Sequence, residues 1–336
     1  MAKKKGKTLP TVGVVGSGSF ATAIVKMLLE NAKLVHWCVR NEFVKGALEL
    51  RGHNPNYLTA VAFDVKKLKI TTDINELVSA CDIVVLATPS IYLADAIEKM
   101  TCDYEGKLFV SAIKGIVPKH NDVVAHYLRD VFKIGFRSQA VIAGPCHAEE
   151  VAMERLSYLT IAAAEKEHID ALRELFTSDY IKVSCSKDIL GNEYSAILKN
   201  IYAIAAGIAS GLGYGDNFNA VLVSNAIREM ELFLDAIYPE HREVNDSAYL
   251  GDLLVTAYSL FSRNRNLGNL IGKGYTVKSA VQSMSMVAEG YYATRGIYEI
   301  AFEKKLKTPI INTVFSILYE GKDAEKQLKK LTEKLT

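Results

Sequence analysis

Apolar residues fall into two regimes along the chain. Up to about residue 186, short β-type runs at 12–15, 34–39, 69–72, 82–88, 108–113, 140–143, 158–162 and 181–184 alternate with helix-forming stretches. Most of the runs are near-continuous in apolar residues, the pattern of strands covered on both faces of a parallel sheet with helical crossovers. From Asn192 onward only helical spacing remains, at 192–210, 217–237, 247–260, 286–304 and 322–334, joined by Gly, Asn and Pro turns. The pattern predicts an α/β chain with a mostly parallel sheet domain over 1–187, opened by a basic tail at 1–9. An all-α domain over 188–336 follows, with no internal repeat.

The first two strands enclose the most informative turn. Val12-Gly13-Val14-Val15 runs into Gly16-Ser17-Gly18-Ser19-Phe20-Ala21, then a helical stretch, then the run ending at Arg40. This is G-x-G-x-x-A in a strand–turn–helix–strand setting, as a Rossmann-type domain requires. Gly16 permits the tight turn, Gly18 lets the backbone approach a pyrophosphate, and Ala21 is small enough for helix to pack on strand. The helix N-terminus then faces the phosphates. At the end of the second strand, an NAD-specific site commonly has Asp or Glu, whereas an arginine accommodates a 2′-phosphate. Arg40 stands there, with Glu42 just beyond and Asn41 as a hydrogen-bonding neighbour. NADPH is therefore expected to serve at least as well as NADH, although Arg40 stacking on adenine or facing solvent is the plainer alternative.

Composition narrows the class. The chain has 336 residues, 49% hydrophobic, with 40 Lys+Arg against 38 Asp+Glu. That near balance gives no global reason to expect nucleic acid or an anionic membrane as partner. No apolar run approaches the roughly 18 residues of a transmembrane helix, and no apolar h-region follows the early lysines before Pro10, so a signal peptide is not expected. The five cysteines, at 38, 81, 102, 146 and 185, form no C-x-x-C pair. Reduced thiols in a cytosolic protein are expected, and no metal site.

Candidate chemistry gathers where strands end, the usual ligand edge of an open α/β sheet. Thr88-Pro89-Ser90, Lys114-Gly115 and Gly144-Pro145-Cys146-His147 follow three of the runs. Lys114 is placed either to meet an anion or carbonyl, or simply at a surface turn. In the helical half, Lys199 is the only charge in the apolar stretch 195–207. A buried lysine needs a partner and loses basicity, which suits proton transfer; the alternative is an apolar stem whose head reaches water. Asp252 lies in an apolar setting as a possible partner. Ser262-Arg263-Asn264-Arg265 groups two guanidiniums with hydrogen-bonding side chains, able to hold a phosphate or carboxylate. Gly268-Asn269-Leu270-Ile271-Gly272-Lys273-Gly274 lacks Walker spacing and reads as a mobile loop.

These motifs, together with Trp37 and Arg40, His53-Asn54-Pro55-Asn56-Tyr57-Leu58, Lys114-Gly115-Ile116, Leu198-Lys199-Asn200 and Gly251-Asp252-Leu253, resemble the NAD(P)-dependent glycerol-3-phosphate dehydrogenases of bacterial type over essentially the whole chain beyond the basic arm. The resemblance implies reversible reduction of dihydroxyacetone phosphate to sn-glycerol 3-phosphate by NADPH or NADH, supplying glycerophospholipid synthesis, in a cytoplasmic homodimer. It further implies that Lys199 is the proton donor and acceptor. Lys114, Gly144, Cys146, Lys199, Asp252, Ser262, Arg263 and Asn264 would meet the substrate. Gly16, Gly18, Ser19, Phe20, Arg40, Tyr57, Lys114, Ala148, Arg263, Val287 and Glu289 would meet the cofactor.

Four departures stand out. Ala21 replaces the family's residue at the third position of the turn, Thr59-Ala60 replaces Pro-Gly, and Asn225 replaces a common arginine. Cys146-His147 replaces Ser-Phe, which bears on the substrate contacts. Three rival readings are a keto-acid reductase of the same two-domain plan, a non-catalytic nucleotide sensor, and a cysteine hydrolase using Cys146 and His147. Adjacent residues in an extended segment point to opposite faces, which counts against the last.

Overall fold

The computed structural model describes residues 9–336, so most of the basic tail lies outside the described residues. Eight strands form one sheet: β1 (Val12–Val15), β2 (Val35–Cys38), β3 (Leu68–Thr71), β4 (Ile83–Leu86), β5 (Leu108–Ser111), β6 (Gln139–Ala143), β7 (Ser157–Ala163) and β8 (Ile181–Ser186). Their spatial order is β3-β2-β1-β4-β5-β6-β7-β8. The order reverses between β1 and β4, so a crevice opens beyond their carboxyl ends. Val12 and Val14 face one apolar layer with Ile24 and Trp37, while Val15 faces the other with Leu77 and Leu86. This is the two-residue alternation of strand side chains, with both faces covered.

Two features depart from a parallel sheet buried on both faces. β6 and β7 run antiparallel. Their connection contains only the five-residue helix Ala148–Ala152, about 7.5 Å of rise, too short to carry the chain back along the sheet. The Lys166–Phe176 helix does make that return, and β7 and β8 pair in parallel. β8 is also an edge strand whose Lys182, Ser184 and Cys185 are exposed, in keeping with its mixed composition.

After β8 the chain is helical among the described residues. The 23-residue helix Ile189–Gly211 is apolar on nearly every side and buried along its length, as a core helix should be. Around it pack Asp216–Ile237, the π-helical turn Ser247–Gly251 that leads into Asp252–Tyr258, and Glu289–Glu303. The expected stretches at 192–210, 217–237, 247–260, 286–304 and 322–334 thus correspond to helices, the last being Ala324–Thr332. Arg263–Gly272, Val277–Ser283 and Pro309–Leu318 are helices that the spacing did not reveal.

The glycine-rich stretch read as a mobile loop is corrected by the first of these. Gly268 and Gly272 sit on a helix pressed against Gly207 and Gly211 of the central helix. A Cβ at Gly268 would collide with the carbonyl oxygen of Ile204. The glycines serve close helix–helix approach, and that contact fixes Ser262, Arg263 and Asn264 beside Lys199.

Candidate active site

The glycine turn is held in shape by neighbours on two sides. Gly16 has φ +125°, and a side chain there would collide with the Ala87 carbonyl at 2.6 Å, so only glycine suits the position. Trp37 Nε1 donates to the Gly16 carbonyl at 2.6 Å. Asn54, fully buried, donates to the Ser17 carbonyl at 3.1 Å and to Thr22 Oγ1 at 2.8 Å. Gly18 caps the Ser19–Leu29 helix with no side-chain acceptor, and a Cβ there would meet nothing within 4 Å. Uncommitted first-turn N–H groups beside open space fit the phosphates of a dinucleotide.

That open space belongs to a groove of about 870 Å³ lined by Gly16, Gly18, Ser19, Arg40, Tyr57, Arg263 and Val287, with Tyr92, Tyr291 and Tyr292 on its flanks. The volume matches the roughly 300–1,000 Å³ of extended ligand sites. A second cavity of about 160 Å³ adjoins it, lined by Phe20, Lys114, Cys146, Ala148, Lys199, Asp252, Ser262, Asn264 and Glu289. Gly18, Ser19, Arg263 and Val287 line both. The groove suits a dinucleotide and the cavity a molecule of a few carbons. Of the residues expected at the cofactor, Phe20, Lys114, Ala148 and Glu289 lie at the small cavity and not along the groove. Gly144 lines neither; its carbonyl instead accepts from Lys114 Nζ at 3.3 Å.

The small cavity is built around one carboxylate. Asp252 is 1% exposed and begins its helix where the π-helical turn ends, a backbone irregularity often found at functional sites. Lys199 Nζ donates to Asp252 Oδ1, and Lys114 Nζ approaches Oδ2 at 3.4 Å. The Lys114 ammonium also lies 5.5 Å from the centre of the Phe20 ring. Asn200 Nδ2 donates to the Lys114 carbonyl at 2.8 Å, which fixes the strand end against the central helix. Lys199, 4% exposed, does not send its head to water.

Burial brings the Lys199 pKa down to about 7. The Asp252 charge opposes that shift and the Lys114 charge reinforces it. Desolvation prevails because the ammonium is almost wholly buried.

Arg263 links the two cavities. Its guanidinium reaches the Val287 carbonyl at 3.3 Å and Ser19 Oγ at 3.4 Å. Ser262 caps its helix by accepting from the Arg265 N–H at 3.2 Å, which leaves its O–H able to donate. Asn264 Oδ1 accepts from the Gly290 N–H at 2.9 Å. At the strand end, Glu42 accepts from Thr72 Oγ1 at 2.6 Å, and Asn41 Oδ1 caps its helix through the Val44 N–H at 3.0 Å.

Some contacts and residues of this site were not read from the sequence. Ser90, noted there only as part of a polar strand-end turn, is fully buried and donates its N–H at 2.9 Å and its hydroxyl to the Glu289 carboxylate, joining the sheet to the helices. Burial raises the Glu289 pKa, opposed by those Ser90 bonds and by Arg263. Thr256, which donates to the Asp252 carbonyl, and Tyr92, Tyr291 and Tyr292 of the groove were missed; an i, i+4 relation to Asp252 was the available signal for Thr256. Asn54 stood inside a recognised motif without its role being evident.

Cys146 and His147 do not form a nucleophile and base. Burial pushes the Cys146 thiol up to about 12, far from the thiolate a nucleophile needs. His147 is pulled down to about 4, by burial first and then by Lys199, Lys114 and Arg263. All five cysteines are unpaired, and among the described residues no helix is long and apolar enough to cross a membrane.

A Rossmann-type sheet with a dinucleotide groove, adjoining a small cavity that holds a basicity-lowered lysine, defines a nicotinamide-dependent oxidoreductase. Profiles of the NAD-dependent glycerol-3-phosphate dehydrogenase N-terminus and C-terminus match residues 11–169 and 188–329, and the chain belongs to that family. It is 33% identical to a glycerol-3-phosphate dehydrogenase [NAD(P)+] of Chlorobium limicola over 94% of this chain and 96% of that one. A glycerol-3-phosphate dehydrogenase [NAD(P)+] of an Exiguobacterium species is also 33% identical, over 96% and 95%. The crystal structure of glycerol-3-phosphate dehydrogenase from Coxiella burnetii superposes with a TM-score of 0.90 at 26% identity, covering 96% and 99% of the chains. A ketopantoate reductase structure from Ralstonia eutropha shares the fold alone, with a TM-score of 0.59 at 16% identity.

Proposed function

We propose that this protein reduces dihydroxyacetone phosphate to sn-glycerol 3-phosphate, reversibly, with NADPH or NADH. The observation that carries the reading is the buried Lys199–Asp252–Lys114 cluster beside an arginine that lines both cavities. Family membership supports the same reaction. Residues 1–187 would hold the cofactor and 188–336 would supply the proton donor. A homodimeric, cytoplasmic enzyme feeding glycerophospholipid synthesis rests on the resemblance.

When bound, the cofactor supplies a hydride to the ketone carbon. The chain's residues do the rest. Gly16, Gly18 and Ser19 seat the pyrophosphate, with Arg40 and Tyr57 farther along the groove. Arg263 holds the substrate phosphate through its planar fork. Lys199 gives its proton to the ketone oxygen as charge develops there, a role worth on the order of 10²–10⁴ in rate. Asp252 orients that ammonium, and Lys114 adds positive charge beside the same oxygen. In the reverse direction neutral Lys199 removes the proton from the alcohol. The near-complete burial of Lys199 and Asp252 limits water around the charge-separated step.

The test is loss of NADPH absorbance on adding dihydroxyacetone phosphate, with phosphate-free dihydroxyacetone alongside. Turnover of the phosphorylated ketone and little of the other is expected. Reduction of a keto acid with no response to the phosphorylated ketone would favour the rival reductase. Tight dinucleotide binding without turnover would favour a sensor.

A further inference from the structure

Most polar side chains around the small cavity make at least one hydrogen bond to the protein. Asn200 donates to the Lys114 carbonyl, Thr256 to the Asp252 carbonyl, and Ser262 and Asn264 accept backbone N–H groups. Glu289 is taken by Ser90. His147 is different: its Nε2 is buried with no hydrogen-bond partner. Among the described residues five other buried side-chain atoms are also unpartnered, on His168, Asn192, Glu193, Tyr202 and Asn219, but none of those residues lines this cavity. An unpartnered buried polar atom is costly and calls for an explanation.

Charge narrows what the imidazole can receive. Lys199, Lys114 and Arg263 face it, with Asp252 the opposing charge. Surrounded this way the ring is neutral at pH 7, with one N–H and one lone pair. On the proposed reading, the substrate's phosphate goes to Arg263 and its ketone oxygen to Lys199. What remains is a hydroxymethyl group, and a hydroxyl can both donate and accept.

We propose that His147 is a specificity-determining residue that hydrogen-bonds the free hydroxyl of the three-carbon phosphorylated ketone. The inference rests on the reaction proposed above and adds a residue that the resemblance does not supply, since the family pattern has an apolar ring at this place. A site built to bond a hydroxyl discriminates strongly against an analogue lacking it.

The experiment compares dihydroxyacetone phosphate with hydroxyacetone phosphate, in which a methyl replaces the hydroxymethyl while ketone and phosphate stay. The wild type should favour the former by at least about tenfold in kcat/KM. His147→Phe should bring the ratio close to one, chiefly by lowering the rate with the hydroxylated substrate. His147→Gln, which keeps a donor and an acceptor, should retain part of the preference. NADPH dissociation constants, measured by fluorescence, should stay near the wild-type value in both variants. A wild-type ratio near one, an unchanged ratio in His147→Phe, or an equal loss with both substrates would overturn the assignment. Failure of the wild type to reduce either phosphorylated ketone would instead bring down the reaction itself, and the role of His147 with it.

Discussion

Asp252 holds Lys199 by one carboxylate oxygen while its other faces Lys114 at 3.4 Å. The Lys199 ammonium is therefore fixed by a group that a second cation also engages. Removing one member of such a buried set leaves an uncompensated charge. Lys199→Ala should lower reduction by on the order of 10²–10⁴ and leave the NADPH dissociation constant within a few-fold, because the lysine lines the small cavity and not the groove. Stopped-flow rates and fluorescence titration give the two numbers. Wild-type turnover in that variant would remove Lys199 from the mechanism.

With Lys199 as the proposed proton donor, its ionisation should set the pH dependence. Reduction needs the ammonium, and its pKa lies near 7, so kcat/KM for the ketone should fall about tenfold per unit as pH rises above that value. Oxidation needs the neutral amine, so its profile should rise through the same region and level off. Lys199→Arg, which stays charged at all accessible pH, should remove this inflection from whatever residual rate it has. Profiles of both directions between pH 5 and about 9 check the signs; a reductive rate that rises with pH would contradict them.

How much of this was legible in the sequence depends on the kind of signal. The glycine turn was readable because strand, turn and helix are local, and the buried strands because β1 and β4–β6 are apolar on both faces. Lys199 was readable as one charge in an apolar helix. What distant segments impose on one another was not. The antiparallel β7 follows from a short connection, and the helix beginning at Arg263 carries glycines that look like a loop until Gly207 and Gly211 are seen pressed against them. The Ser90–Glu289 contact joins residues 199 apart in sequence, and neither residue alone carries a signal for the other. Glu42, two residues beyond Arg40, was a possible ribose ligand on spacing, but it does not line the groove and accepts from Thr72 instead.

Arg263 spans both cavities, so its loss should show in two measurements. Arg263→Ala should narrow the preference for dihydroxyacetone phosphate over dihydroxyacetone by about 10- to 100-fold, the worth of a charge-assisted hydrogen bond. NADPH affinity should also weaken, because the guanidinium lies against Ser19 and the Val287 carbonyl. An unchanged substrate ratio would place the phosphate elsewhere.

Cys146 lines the site as a neutral thiol. Cys146→Ser should keep a substantial part of kcat, and no covalent adduct should appear by mass spectrometry during turnover. A folded serine variant with no activity at all would revive covalent chemistry at this position.

Cofactor choice is decided at the far end of the groove. Arg40 is exposed at the carboxyl end of β2 and lines the groove with Thr72, Asp73 and Lys99. The nearest carboxylate in sequence, Glu42, accepts from Thr72 and pairs with Lys45 at 3.9 Å, and Asn41 has committed its oxygen to a helix cap. Neither lines the groove, whereas the Arg40 guanidinium and Lys99 do and present positive charge to a 2′-phosphate. Asp73 opposes them in part, which leaves room for NADH to be accepted. NADPH should therefore be used at least as well as NADH. Arg40→Asp should reverse the preference, chiefly by raising KM for NADPH while kcat with NADH stays near the wild-type value, since the site of hydride transfer is untouched. The ratio of kcat/KM for the two cofactors in both proteins is the measurement, and a wild type that strongly prefers NADH, or a ratio unmoved by the substitution, would exclude Arg40 as the discriminating residue.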